Sequence, residues 1–299
     1  MLKNLSGIVR GVDSQEKLSN TALIAAAARA AHLIVDDAPA ICTDTLAAPL
    51  LGHRANELIG YHRVHGTHPV LSGARGQVTT RTRYTEDRLA RSTRLGVTQY
   101  VILGAGLDSF AYRSELAGQV RVFEVDHPAT QQAKRELLSA AQIETPPTVT
   151  FVPADLETRS LAGRLIDGGV DPSRPALVSW LGVTVYLTRA AISHTLAAIG
   201  ALAPGTELIA DYMLPAVMRD TAGNIYADLV MPVAAEHGEP WLTCLTPDDM
   251  SALLTEHGFE PAEHVRQRDA VDAALWDRSD SLRPMDLSLI ARATVSPAP

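Results

Sequence analysis

The sequence predicts an α/β protein with a doubly wound, mostly parallel seven-stranded sheet, an N-terminal helical cap and an inserted lid. Three observations carry that prediction. The run Val101 to Arg113, followed by Arg121 to Asp126, reads as a strand, a glycine turn, a helix and a second strand. From there to residue 212 strand and helix patterns alternate, as they do when a parallel sheet is covered by helices on both faces. Between residues 213 and 246 three prolines, several glycines and Trp241 break the regularity, which marks an insertion over the sheet edge.

Each element has its own local reason. Residues 14–35 are rich in alanine and leucine at helical spacing, and Asp36-Asp37-Ala38-Pro39 stops that helix. A short helix is expected over 43–51, so residues 1–80 read as the cap and 81–299 as the α/β domain. Thr79 to Leu95 reads as a helix feeding the strand 100–103. Strands at 120–125, 148–152, 176–180 and 207–212 alternate with helices at 129–141, 161–166 and 189–202. A helical stretch near 225–236 lies in the insertion. Pro247 to His257 follows as a helix with Thr246 as N-cap and Gly258 as its end. Strands near 259–265 and 287–293 complete the sheet.

Composition excludes several function classes. A chain of 299 residues, 46% hydrophobic and 20% charged, can bury a sizeable core and is not disordered. Its net charge of −8 lacks the basic footprint of nucleic-acid binding. Cys42 and Cys244 stand far apart, without the spacing of a disulfide framework or zinc site, which fits a reducing cytoplasm. Met1 to Asp13 has no apolar core of signal-peptide length, and Arg29 and His32 cut the apolar run 21–35, so no membrane association is expected. The tail from Ser296 is short enough to be simple fraying.

The glycine turn points to a nucleoside cofactor. Gly104 and Gly106 leave room for a ligand, and Glu124 and Asp126 follow about 20 residues on, where a ribose hydroxyl is usually held. A dinucleotide turn wants a third glycine, but that position is Ser109, preceded by Asp108. A carboxylate in the first helical turn would repel a pyrophosphate and tolerate S-adenosylmethionine, whose sulfonium is positive. The turn therefore favours a methyl donor over NAD.

The chain resembles the leucine carboxyl methyltransferase-like family of S-adenosylmethionine-dependent O-methyltransferases. The resemblance rests on Asn20-Thr-Ala-Leu-Ile-Ala-Ala-Ala-Ala-Arg29, Arg81-Thr82, Leu103-Gly-Ala-Gly-Leu-Asp108, Phe123-Glu-Val-Asp-His-Pro128, Ala154-Asp-Leu156 and Gly238-Glu-Pro-Trp241. It implies a Rossmann-like methyltransferase fold. It also implies a cofactor site in which Arg81, with Arg83 as the alternate, pairs with the cofactor's carboxylate as a fork that lysine cannot reproduce. Gly104, Ala105 and Gly106 would bring backbone N–H groups to the amino-acid moiety. Asp126, beside His127, would hold the ribose, while Asp155 and Leu156 would hold the adenine. Asp108 fits an N-cap as well as a cofactor contact. Where members acting on a protein terminus carry a glutamate at the end of the fourth strand, this chain has Leu181, so that a cofactor or substrate contact is missing or replaced at that cofactor-side position, which argues against a protein substrate. The fourth strand also lacks the Asn/Asp-Pro-Pro-Tyr run of base or amide N-methylation.

Transfer of a methyl group asks mainly for positioning. A carboxylate, with a pKa near ~4, needs no general base, whereas a phenol near ~10 does. Candidates for catalysis are Tyr186, Thr184 and His68, with His65, His127 and His237 as further histidines. Tyr84, Tyr186, Tyr212 and Trp241 are candidates for an apolar substrate pocket. The spacing of His65 and His68 has no third ligand beside it, and no metal is expected. The expected activity is O-methylation of a small-molecule carboxylate. A phenol or alcohol acceptor with a histidine base is the alternative, and an NAD-type oxidoreductase or an inactive cofactor-binding protein are the readings from other classes. Specificity and oligomeric state have no motif to fix them.

Overall fold

In a computed structural model the described residues are 19–297, so the expectations for Met1 to Asp13, for 14–18 and for the last two tail residues lie outside them. Helix α1 (Asn20–Val35) opens on Ser19, whose side chain accepts from Ala22 N, and ends where Asp36 turns extended. Its alanine face packs with α2 (Ala47–Leu50) and α3 (Ala55–His65) around Leu23, Ala27, Leu51 and Leu58. Leu107, from the turn after the first strand, belongs to the same cluster. Arg29 fixes that docking, donating to Leu107 O at 2.6 Å and to Asp44 Oδ2 at 2.7 Å.

Helix α4 (Pro69–Arg94) begins ten residues earlier than the expected start at Thr79. His68 caps it and Pro69 takes its first position, where the missing N–H costs nothing. The boundary expected between residues 80 and 81 therefore falls inside one unbroken helix. The long polar tract 75–88 hides its periodicity, because much of that tract is buried between the cap and the sheet. Helix α3 was not expected at all; its mean apolar content is low and only Leu58, Ile59 and His62 are buried.

The strands are β1 (Gln99–Leu103), β2 (Arg121–Asp126), β3 (Val149–Pro153), β4 (Leu177–Trp180), β5 (Glu207–Met213), β6 (Glu263–Arg266) and β7 (Ser288–Thr294). They form one sheet in the order β3-β2-β1-β4-β5-β7-β6. The first five are parallel, with Leu103 level with Val125 and Trp180, and β7 runs antiparallel to β5 and β6. This is the doubly wound methyltransferase architecture. Side chains alternate: Val101, Leu103 and Trp180 face α7 (Leu161–Asp167), α8 (Arg189–Gly200) and α10 (Pro247–Glu256). Tyr100, Ile102 and Val122 face Leu89 of α4 and Phe110 of α5 (Phe110–Arg113). Helix α6 (Pro128–Ala140) links β2 to β3, and α9 (Thr221–Glu236) fills the insertion. Thr246 and Asp249 form a reciprocal capping box at α10, which ends before Gly258 (φ 82°).

Among the described residues no helix is long and apolar enough to cross a membrane.

Candidate functional site

Strand order reverses about β1, with β2 on one side and β4 on the other, and ligands of open α/β sheets bind at such a point beyond the carboxyl ends. A cavity of about 570 Å³ lies there, bounded by the turn 104–108, the end of β2 at Asp126 and His127, the loop 154–157 and the loop 181–183. Arg81 and all nine other residues expected at the cofactor line it.

The turn is built against β2. Gly104 N and Ala105 N both donate to Val125 O, at 2.8 and 3.1 Å. Gly104 has φ +67°, and a β-carbon there would run into Val183 at the opposite wall. The glycine is thus what lets two loops close on one cavity. Gly106 N donates to Asp126 Oδ2 and His127 N to Asp126 Oδ1, both at 2.6 Å. Each carboxylate oxygen keeps a further lone pair. Burial pushes the Asp126 carboxyl up, against the pull of those two N–H groups.

The neighbouring acids serve the backbone as well as the cavity. Asp108 Oδ1 accepts from Phe110 N at 2.8 Å, a two-residue turn just ahead of α5 whose N-cap position is Ser109 and not Asp108, and the residue lines the cavity. His127 caps α6 through Ala129 N and is exposed. Asp155 Oδ1 accepts from Glu157 N at 3.0 Å, beside the buried Leu156. Glu124 does not reach the cavity. Strand alternation turns it inward, where it is fully buried and paired with Lys134 Nζ at 2.7 Å.

Arg81 reaches the cavity from α4, and Arg83 does not. Arg83 points outward and pairs with Asp87 at 2.8 Å. Arg81 Nη1 donates to Asp211 Oδ2 at 2.8 Å, and Asp211 Oδ1 accepts from Gly182 N at 2.5 Å. Asp211 had not been expected at the site. Its signal was available as an acid between the apolar Ile209-Ala210 and Tyr212-Met213 of β5, where it is buried; a buried carboxylate requires a partner.

A second cavity of about 200 Å³ adjoins the first, walled by α1, α4 and α9. Seven residues line both: Thr21, Ala25, Val78, Arg81, Gly182, Tyr186 and Glu239. They form the neck between the chambers. Tyr186 is thus placed where a substrate would meet a cofactor, and Trp241 lines the second chamber. Burial pushes the Tyr186 phenol up, so it is a neutral donor rather than a base. Glu239, part of the Gly238 to Trp241 motif but given no role from the sequence, accepts from Ser19 Oγ at 2.5 Å and from Thr21 N at 3.1 Å, with Thr21 Oγ1 as a further donor. It ties the loop after α9 to the start of α1.

Four expected residues lie elsewhere. Tyr212 points from β5 into the core, with its hydroxyl 2.8 Å from His264 Nδ1. Tyr84 packs on the opposite face of the sheet beside Tyr100 and Ile102. Thr184 is buried and donates to Asp211 O at 2.7 Å. His68 caps α4 and lines neither chamber. Packing and capping account for all four. The chamber wall instead carries His62 and His237. Burial, reinforced by the Arg75 guanidinium, pushes His62 down to about 4.

The leucine carboxyl methyltransferase family profile matches residues 22–200. A protein of Bacillus subtilis (strain 168), provisionally named S-adenosyl-L-methionine-dependent methyltransferase YktD, is 34% identical over 204 residues, covering 68% of this chain and 67% of that one. A provisionally named S-adenosyl-L-methionine-dependent methyltransferase of Parafrankia sp. (strain EAN1pec) is 32% identical over 191 residues, 62% of this chain and 58% of its own length. Among solved structures, a DUF574 family protein from Streptomyces avermitilis superposes with TM-score 0.60 at 15% identity, covering 95% of this chain and 99% of that one. A provisionally named methyltransferase from Thermobifida fusca YX superposes with TM-score 0.53 at 21% identity, covering 83% and 92%. At these identities the two crystal structures share the fold.

Proposed function

The chain belongs to the leucine carboxyl methyltransferase family, with S-adenosylmethionine as its cofactor, and from that premise we propose that it methylates a carboxylate of a small molecule to a methyl ester. The larger chamber fits the cofactor: the Gly104 cradle would be filled by any β-carbon, and the chamber offers an arginine and acids at its far end. The N–H groups of Gly104, Ala105 and Gly106 are taken up by Val125 O and Asp126, so the turn offers close approach rather than the free donors the sequence suggested. Arg81 would hold the cofactor's carboxylate, Asp126 the ribose, and Asp155 with Leu156 the adenine. Bound there, S-adenosylmethionine supplies a methyl carbon to an acceptor oxygen's lone pair as the carbon–sulfur bond breaks and the sulfur leaves with its electrons as a neutral thioether.

The observation that carries the carboxylate reading is the chemistry of the neck. Its polar side chains are the donors Arg81 and Tyr186, together with Thr21 and Glu239, which are bonded to each other, with Ser19 on Glu239's other oxygen. No histidine stands among the neck residues, and a carboxylate nucleophile needs none. The protein's contribution is then orientation and exclusion of water.

A hydroxyl acceptor is the second reading, favoured by one feature. His237 donates through Nδ1 to Val233 O at 2.6 Å, which leaves Nε2 as an acceptor on the chamber wall. Incubation with labelled S-adenosylmethionine and separate panels of carboxylic acids and phenols, read by mass shift, tests both. Methyl esters insensitive to His237→Gln support the first; methyl ethers abolished by it replace the first with the second.

A further inference from the structure

Resting on the methyl-transfer reading, we infer that the second chamber selects the acceptor as an apolar monocarboxylic acid with a body of about six to eight carbons, held by Tyr186 at the neck and by Trp241 on the chamber wall beside it.

The body of the chamber is apolar on three sides. Ile24 of α1, Leu71 and Ala74 of α4, and Val230 and Val233 of α9 face one another across it, with Leu287 at its floor. A cavity of ~150 Å³ accepts a benzene ring, so about 200 Å³ accepts one or two carbons more. Among the described residues no lysine lines it, and its only arginine is Arg81, which belongs to the neck and is paired with Asp211. His62 and His237 on the wall carry no permanent charge, so a second carboxylate on the acceptor would be buried without a permanent countercharge. Glu239, on the same wall, would repel a second carboxylate.

The polar end is lined by two donors. Trp241 Nε1 is buried without a hydrogen-bond partner of good geometry among the described residues, although buried indole N–H groups ordinarily find one. Trp241 and Thr21 both bear on the Tyr186 phenol, and burial keeps that phenol protonated. An acceptor carboxylate at the neck would take the phenol proton on one oxygen and draw the indole N–H to the other.

Calorimetric titration with octanoate, butanoate and octanedioate, with and without S-adenosylhomocysteine, tests this. Octanoate is expected to bind saturably. Butanoate should bind at least tenfold more weakly through lost apolar burial, and octanedioate at least tenfold more weakly despite its length. Ala74→Phe, which narrows the chamber without touching the larger cavity, should weaken octanoate at least tenfold and leave S-adenosylhomocysteine unchanged. Val230→Phe repeats the test from α9 if the first variant fails to fold. Trp241→Phe should weaken octanoate and spare the cofactor. Equal affinity for octanoate and octanedioate, no binding of octanoate, or indifference to both chamber-filling variants overturns the inference. Octanoate binding with no binding of S-adenosylhomocysteine would leave the chamber's selectivity standing and remove the methyl-transfer reading instead.

Discussion

Arg81 lies against the backbone of Gly182, so close that a β-carbon at residue 182 would fall within 3.0 Å of three guanidinium atoms. Asp211 holds both, taking Arg81 Nη1 on one oxygen and Gly182 N on the other. Helix α4, the loop after β4 and strand β5 are thereby locked together at the neck between the two chambers.

Gly182→Ala should displace the guanidinium and strain a backbone at φ +71°, at a stability cost of about 1–2 kcal/mol. Titration with S-adenosylhomocysteine should show at least tenfold weaker binding, and a thermal melt a lower midpoint. Wild-type affinity would mean that Arg81 does not contact the cofactor. Arg81→Lys should also weaken binding, since a point donor replaces a fork.

Asp126→Ala removes the acceptor at the end of β2 and frees the N–H groups of Gly106 and His127. Cofactor affinity should fall by about 1–3 kcal/mol, from the lost hydrogen bonds and the loosened turn. An unchanged dissociation constant would sink the ribose assignment.

Tyr186→Phe keeps the ring and deletes the donor. For a carboxylic acid acceptor KM should rise roughly 5- to 30-fold, worth about 1–2 kcal/mol for a hydrogen bond to a charged group. S-adenosylhomocysteine affinity should hold. A loss confined to kcat, with no change in acceptor binding, would point to a role for the phenol in the transfer itself.

Stability should decline from neutral pH toward acid in two stages. In the unfolded chain His62 takes a proton near ~6.5, whereas in the fold burial and the neighbouring Arg75 hold it to about 4. The unfolded state therefore binds more protons between those values, and stability present above about pH 6.5 is lost as pH falls toward 4, by an amount on the order of 3 kcal/mol. His264, also lowered by burial, adds to this limb. Asp36 follows below it. Burial raises its carboxyl, but the bonds from His32 and Arg75 outweigh burial and leave it below the usual range. Stability held by Asp36 above about pH 4 disappears as pH falls through its folded value. Denaturant unfolding of His62→Gln at pH 7 and 5 should show a smaller loss than wild type; equal losses would assign the limb to other groups.

Breaking the same network outright should be more damaging. Among the described residues Asp36 is the only carboxylate bonded to Arg75, with both oxygens engaged at 2.8 Å. Asp36→Ala leaves that buried cation uncompensated and should cost about 3–5 kcal/mol, readable as a large drop in denaturation midpoint.

What the sequence determined by itself is the part encoded locally. The glycine turn after β1, the period-two apolar strands, the Thr246 cap and ten of the residues lining the larger chamber could be read because each depends on neighbours a few positions away or on a motif that travels intact. The mostly parallel, helix-covered sheet followed from the alternation of strands and helices, while its strand order came only from the fold; α3 and the first part of α4 were missed because polar residues there are buried by the cap and not by the helix's own pattern.

Only the tertiary structure decided between Arg81 and Arg83, moved Tyr84, Tyr212, Thr184 and His68 away from the chambers, and brought Glu239 to Thr21 across 218 positions. The apolar chamber exists because α1, α4 and α9 meet there. Its walls come from three distant segments whose residues, taken singly, look like ordinary core, and a cavity is a property of how such surfaces fail to fill space rather than of any one residue.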